Sequence, residues 1–182
     1  MFPFTLLNYI TSYRSLNPYI EDQTSFYEWL AGFIDGDGHF AIRNGKYPFL
    51  FIEQETKNLS VLLFIQSKLG GSIGKRSRGD CYVYNLSSRS EMIVLLHGIN
   101  GNIRNSIRLP QFYKVCSILN ITPLPIIPLS LHNGWFAGFF DADGNISGYF
   151  TKTPYIVIQV TNKLDCNLEP FMLLFKGQKY IP

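Results

Sequence analysis

Residues 28–38 read EWLAGFIDGDG, and residues 134–144 read GWFAGFFDADG. A shift of 106 positions aligns the two stretches without a gap, so that the tryptophan, both aspartates and two glycines of one copy fall on those of the other. Further matches at the same offset continue as far as Gly71 and Gly177. Chance does not maintain one offset over about forty residues, so the sequence predicts a duplicated structural unit.

The periodicity after each copy predicts the elements of this unit. An apolar helix is followed by two alternating strands, a helix closed by glycine, two more strands and further helical pattern. We therefore predict an α+β fold of two pseudo-symmetric αββαββα units, each with an antiparallel sheet. The predicted organisation is an N-terminal extension (1–24), a first unit (25–120), a Pro-rich linker (121–131) and a second, truncated unit (132–182).

The second unit is shorter than the first. Pro182 corresponds to Arg76 at the fixed offset, so the second unit lacks counterparts of residues 77–120. Proteins normally cover an unpaired strand edge. We therefore expect either that the reading frame is shortened or that another chain completes the sheet.

Composition and charge narrow the classes of function. The chain is 46% apolar, which is typical of a folded protein, and no apolar run reaches the ~18 residues of a membrane span. Three cysteines without paired spacing indicate a reducing compartment and no structural zinc. The net charge is only +3, but basic residues cluster between positions 68 and 89, which indicates a phosphate-facing surface or else a solvated one.

The two acids of each copy follow small residues on a predicted helix. Small residues four apart allow two helix backbones to approach closely, so we expect the two equivalent helices to pack on each other and to bring Asp37 and Asp143 together. Helix C-termini and neighbouring carboxylates both disfavour such a pair, and a divalent cation would compensate. Oxygen ligands favour Mg²⁺, Mn²⁺ or Ca²⁺ over zinc. The predicted interface residues are Gly32, Gly36, Gly138 and Ala142.

A calcium loop of the EF-hand kind is the competing interpretation of DADGNIS. That loop needs glycine at its sixth position and glutamate at its twelfth. Counted from Asp141, these positions hold Ile146 and Lys152, and the first copy fails in the same way. The sequence therefore argues against a calcium loop.

LAGFIDGDG and FAGFFDADG resemble the motif of the LAGLIDADG homing endonucleases and intron maturases. The LGGSI turn and the segment HGINGNIR at 97–104 are similar to that family as well, and the resemblance extends over residues 16–181. It implies a single-chain pseudo-dimer in which two sheets form a saddle over the major groove of a long, specific DNA site. The motif helices would meet at its centre.

The resemblance also implies roles for individual residues. Asp37 and Asp143 would bind Mg²⁺ or Mn²⁺, with Ca²⁺ as a non-cleaving substitute, assisted by the backbone carbonyls of Gly36 and Ala142. A metal-activated water would attack the phosphodiester, whereas the first acid of each motif would serve the helix interface. Arg108 stands close to where the family carries a catalytic lysine, and we expect it to substitute.

Nucleic-acid contacts are expected on the sheets. Alternation places the predicted base-reading residues opposite Ile52 and Ile158, and Arg, Asn, Gln and Glu are the usual readers of base edges. Further cations lie on the predicted hairpins and at the sheet edge, where they would meet phosphates. The full set is Arg43, Lys46, Glu53, Glu55, Lys75, Arg76, Arg78, Lys152, Gln159 and Thr161.

Two functions follow from the resemblance. The first is a site-specific double-strand DNA endonuclease encoded by a mobile intron of an organelle. The alternative is a catalytically silent relative that binds structured RNA, either a group I intron maturase or a structural component of an organellar RNA–protein particle such as a ribosome. The richness in Phe, Ile, Asn and Tyr favours a mitochondrion over a chloroplast.

Overall fold

The computed structural model describes residues 23–77, 79–150, 152–164 and 167–179. Of the predicted N-terminal extension, only its last two residues are described, and they begin the first helix. Arg78 also lies outside the described residues. In the part of the chain that the structure describes, no helix is long and apolar enough to cross a membrane.

Within these described ranges, thirteen elements, counting one 3₁₀ turn, follow the predicted order. The first unit contains α1 (Gln23–Asp37), β1 (Gly38–Arg43), β2 (Tyr47–Glu55), a 3₁₀ turn (Thr56–Asn58), α2 (Leu59–Leu69), β3 (Ser72–Lys75), β4 (Cys81–Leu86), α3 (Arg89–Ile99) and α4 (Arg108–Leu119). The second contains α5 (Trp135–Asp143), β5 (Gly144–Tyr149), β6 (Tyr155–Val160) and α6 (Glu169–Phe175). The predicted α+β architecture is confirmed, and the helical pattern predicted after the fourth strand forms two helices, α3 and α4.

The first sheet is antiparallel, with the strand order β1-β2-β4-β3. Alternation along β2 gives it two different faces, as the sequence predicts. Leu50 and Ile52 are fully buried against the helices, whereas Phe49, Phe51 and Glu53 are only half-buried on the opposite face. The helix side is covered by side chains from all four helices of the unit: Leu30, Ile34, Leu62, Ile65, Leu95, Leu96, Phe112 and Val115.

The strand pairing of the second hairpin differs from that predicted by the fixed offset of 106. Gly38 pairs with Ile52 in the first sheet, but Gly144 pairs with Val160 in the second. The connection between β5 and β6 is two residues longer than that between β1 and β2, and it absorbs the difference. The alignment of Ile52 with Ile158 is therefore wrong by two residues. Because the shift is even, the residues of β6 keep their predicted faces.

The second sheet contains only β5 and β6 among the described residues. The side that corresponds to the helix-covered face of the first sheet carries Ile146, Ile156 and Ile158. These three side chains are 62%, 72% and 66% exposed, whereas Leu50 in the first sheet is 0% exposed. The predicted incompleteness of the second unit therefore appears as an uncovered apolar face.

The Pro-rich segment has no regular structure between residues 121 and 130, but it is hydrogen-bonded to the first unit. The Ile127 backbone N–H donates to the carbonyl of Gly101 at 2.8 Å, and the side-chain amide of Asn100 donates to the carbonyl of Thr122 at 3.0 Å. Gly101 has a φ of +83°, which favours glycine. These bonds fix the path by which the chain returns to begin α5.

Candidate functional site

The helices α1 and α5 pack against each other through their small residues. A Cβ added at Gly32 would overlap the Trp135 carbonyl oxygen, and one added at Gly138 would overlap the Trp29 carbonyl oxygen. A Cβ on Gly36 would overlap that of Ala142. The four residues predicted for the helix interface therefore lie where the backbones are closest.

The first acid of each motif crosses this interface. The Trp29 indole Nε1 donates to Asp141 Oδ2 at 2.8 Å, and the Trp135 indole Nε1 donates to Asp35 Oδ2 at 2.9 Å. The two bonds are related by the internal duplication, so each helix contributes one donor and one acceptor. The repeated tryptophan and aspartate therefore fix the pairing of the helices.

Asp35 is fully buried at this interface. Its Oδ2 also accepts a bond from the Arg104 backbone N–H at 2.7 Å, whereas Oδ1 has no hydrogen-bond partner. Burial raises the pKa of Asp35 to about 7, although the bonds from Arg104 and Trp135 oppose the shift. Arg104 itself lies over the Trp135 ring at 5.0 Å and donates to the carbonyl of Ile127, so it joins both units to the linker.

The second acids, Asp37 and Asp143, come together where the two helices end. Oδ2 of Asp143 lies 3.4 Å from the position of a Cβ on Gly36, one residue from Asp37. Burial and, to a smaller extent, the Asp143 charge raise the pKa of Asp37 to about 6, against the hydrogen bond from Gln54 and the Arg108 charge. Burial also raises the pKa of Asp143. Two partly desolvated carboxylates thus share one end of the helix pair.

Arg108, at the start of α4, lies beside this carboxylate pair. Its charge opposes the raised pKa of both Asp37 and Asp143. Burial lowers the pKa of Arg108 itself, and its Nε atom is buried without a hydrogen-bond partner. A half-buried guanidinium with an unpaired buried Nε can accommodate another anion.

Gln54 is a site residue that the sequence predictions missed. Its amide donates to Asp37 Oδ2, and its Oε1 accepts a bond of 3.2 Å from Asn58. The available signal was a polar residue at a buried position of β2, between the apolar Ile52 and the end of the strand. By register its counterpart in the second unit is Asn162, whose Oδ1 instead accepts bonds from its own loop.

The donor chemistry fits a hard divalent cation. Asp37 and Asp143 offer oxygen ligands that Mg²⁺, Mn²⁺ and Ca²⁺ prefer. No group of three or more His, Cys, Asp or Glu side chains converges within the described ranges. With two carboxylates as ligands, the remaining coordination positions of the cation would be open to backbone carbonyls, water and phosphate oxygens. Mg²⁺ is usually held in this way in phosphoryl-transfer sites.

The residues predicted to read bases on the first sheet lie on the face turned away from the helices. Glu53 accepts two hydrogen bonds from Arg76, at 3.2 and 2.7 Å. Glu55 is ion-paired with Lys57 at 2.6 Å near the end of the strand. Arg43 closes β1 and is exposed on the same face. Both predicted carboxylates are therefore paired with a positively charged side chain.

The remaining predicted contacts are spread more widely. Lys46 is exposed in the first hairpin turn and Lys152 in the second, while Gln159 and Thr161 are exposed on or just after β6. Lys75 follows the alternation of the helix side, where its Nζ lies 5.8 Å from the Tyr82 ring. Lys75 therefore does not share a face with Arg76, because adjacent residues of a strand point to opposite sides.

Comparisons with known proteins agree with this geometry. The family model described as LAGLIDADG endonuclease matches residues 30–119. The intron-encoded RNA maturase bI4 of Saccharomyces cerevisiae is 42% identical over 184 residues, covering 99% of this chain and 29% of that protein. The intron-encoded DNA endonuclease ai2a of Dictyostelium discoideum is 33% identical over 119 residues, covering 65% of this chain and 38% of that protein. The chain thus spans less than half the length of either relative.

Solved structures show the same fold. A double mutant of I-SmaMI superposes with a TM-score of 0.58 at 18% identity, covering 81% of this chain and 71% of that one. The I-LtrWI LAGLIDADG homing endonuclease bound to target DNA gives 0.57 at 14% identity, covering 87% and 74%. At such identities the likeness concerns the fold alone. With the duplicated motif, the paired helices and the matched family model, the chain belongs to the LAGLIDADG family of homing endonucleases and intron maturases.

Proposed function

We propose that the chain carries the DNA-cleaving site of a metal-dependent, site-specific endonuclease encoded by a mobile intron. The observation that carries this proposal is the convergence of Asp37 and Asp143 at the end of the helix pair, beside Arg108. Such a pair destabilises the fold unless something compensates for it. A hard cation held between the duplex and the helix ends would provide that compensation.

Asp37 and Asp143 would hold Mg²⁺ together with the backbone carbonyls of Gly36 and Ala142. When bound, the cation lowers the pKa of its water and neutralises charge on the scissile phosphate. Mn²⁺ would serve equally, and Ca²⁺ would support binding without cleavage. Gln54 positions the Asp37 carboxylate through its amide hydrogen bond.

Arg108 would place a second positive charge on the phosphate. Its half-buried, incompletely hydrogen-bonded guanidinium lies close enough to both carboxylates to oppose their raised pKa values. A guanidinium can donate two parallel bonds to phosphate oxygens, which suits stabilisation of charge that develops there. This is the role that a lysine has in the family pattern.

A plasmid-cleavage assay tests this proposal. A supercoiled plasmid that carries the intron-less junction of the host gene is incubated with the protein and Mg²⁺. We expect a linear product from the wild type and at least a ~100-fold slower reaction from Asp37→Asn, because a ligand to the site is lost. Asp80→Asn, which removes an exposed acid on the β3–β4 connection, is the matched control. Equal activity of wild type and Asp37→Asn would remove the enzymatic proposal.

Structured RNA is the second candidate partner. It is supported by one observation: the relative named an RNA maturase matches 99% of the chain. Under this alternative the protein binds the folded host intron and does not need the carboxylate pair. We would then expect Asp37→Asn to bind intron RNA as tightly as the wild type in a filter-binding assay, while neither protein cuts the plasmid.

For either function we propose a mitochondrion as the compartment, with a chloroplast as the alternative.

A further inference from the structure

The face of the first sheet turned away from the helices carries two phenylalanines at its centre. Alternation along β2 places Phe49 and Phe51 there, opposite Ala41 and His39 of β1. We call this surface the open face; it includes His39, Ala41, Arg43, Tyr47, Phe49, Phe51, Glu53, Arg76, Val83 and Asn85. A solvent-facing strand normally carries polar residues at such positions. The hydrophobic core on the other side of the sheet does not account for these two rings.

Each ring carries a guanidinium. Arg43 Cζ lies 5.5 Å from the Phe49 ring centroid, and Arg76 Cζ lies 5.4 Å from that of Phe51. Arg76 is held in place by its two hydrogen bonds to Glu53. A ring that is half-buried and covered by a guanidinium has little free surface on which an unpaired base could stack. Such a ring offers a ligand its edge more readily than its face.

The major groove of a duplex offers one apolar group to such an edge. Each base pair shows donors and acceptors there, and thymine alone adds a C5-methyl group, which apolar side chains contact. The flanking guanidiniums supply positive charge for the adjacent phosphates or guanines. The covered rings and the flanking positive charge thus favour a duplex over single strands.

We infer that Phe49 and Phe51 read thymine methyl groups in the major groove of the target duplex. This inference rests on the proposed function, because it takes duplex DNA as the ligand of the first sheet. The register of the two sheets also predicts which half of the DNA site is read in this way. The counterparts in the second sheet are Val157 and Gln159, so the second half lacks both rings. Recognition of methyl groups by phenylalanine should therefore be confined to one half of the DNA site.

The test replaces thymine by uracil, which removes only the methyl groups. A bound duplex is first selected from a randomised library in the presence of Ca²⁺, and dT is then replaced by dU in each half separately. We expect affinity to fall about fourfold for each methyl that a phenylalanine contacts, in the half bound by the first sheet. Phe49→Ala and Phe51→Ala should each reduce the preference for dT, and the double variant should bind dT and dU duplexes equally. Tyr113→Ala, which removes an exposed aromatic ring from α4, should keep the wild-type preference.

Three results would overturn the inference. Equal binding of dT and dU duplexes by the wild type would do so, as would a preference for dT that survives both phenylalanine substitutions. Either result leaves the proposed endonuclease intact, provided that the plasmid is still cut. Tighter binding to single strands than to any duplex would overturn the inference and the proposed function together.

Discussion

The substitution Gly138→Ala tests the helix pair on which the site is built. The new Cβ would lie 2.7 Å from the Trp29 carbonyl carbon and 2.9 Å from the Phe33 nitrogen, and it would overlap the Trp29 carbonyl oxygen. Real Cβ atoms essentially never come closer than 3.0 Å to such neighbours. Because the obstacles are backbone atoms that cannot change rotamer, α1 and α5 must separate by roughly 1 Å or more.

That separation has two costs. Overpacking of a close-packed site costs about 1–3 kcal/mol. The indole bonds from Trp29 and Trp135, at 2.8 and 2.9 Å, would also stretch beyond hydrogen-bonding distance. A hydrogen bond to a charged group contributes about 1.5–3 kcal/mol. The two costs together amount to about 4–9 kcal/mol in the free energy of unfolding when both indole bonds are lost, which corresponds to a melting temperature lower by roughly 10 °C or more.

Thermal unfolding followed by circular dichroism measures this loss. The matched control is Gly74→Ala on β3, where an added Cβ would meet nothing within 4 Å. The control should melt within about 2 °C of the wild type, since surface substitutions usually change stability by less than ~0.5 kcal/mol. If Gly138→Ala melted at the temperature of the control, the close approach of the two helices would be refuted.

Three further predictions concern charge. The pKa of Asp35 is raised to about 7 in the folded protein. Its contribution to stability is therefore complete below about pH 4 and is lost as the pH rises to about 7, by up to ~4 kcal/mol. Urea unfolding across this range should show the decline for the wild type and a flatter profile for Asp35→Asn, and identical profiles would contradict the prediction. Calcium affinity by calorimetry should rise about tenfold between pH 5 and 7, because the pKa of Asp37 is about 6 and the cation needs the ionised form; a pH-independent affinity would refute this. Arg108→Ala should slow plasmid cleavage by about 100-fold or more without abolishing calcium binding, with partial recovery in Arg108→Lys; wild-type cleavage by the alanine variant would exclude a catalytic role.

The duplication made much of the site predictable. The repeated small residues predict the helix interface, and the repeated acids predict that Asp37 and Asp143 meet there, because both signals are local in sequence. The family resemblance implies that the first acids serve the interface. It does not reveal that Trp29 and Trp135 are their partners, since those bonds join residues about a hundred positions apart.

Other features depend on tertiary structure and could not be predicted from sequence. The register of the second sheet follows from the length of a loop, and a fixed offset conceals a two-residue insertion compensated further along the chain. Gln54 resembles any other polar residue near a strand end until the helix packing brings Asp37 beside it. Lys75 and Arg76 are neighbours in a basic cluster, yet strand geometry separates them onto opposite faces.

Manganese binding tests the central claim most directly. Mn²⁺ titrated into the wild-type protein and followed by electron paramagnetic resonance should be bound, and Asp37→Asn and Asp143→Asn should each lose that binding, because one cation needs both carboxylates. Asp80→Asn should bind as the wild type does. If both Asp37→Asn and Asp143→Asn bound Mn²⁺ with unchanged affinity, the two helices would not form a shared cation site.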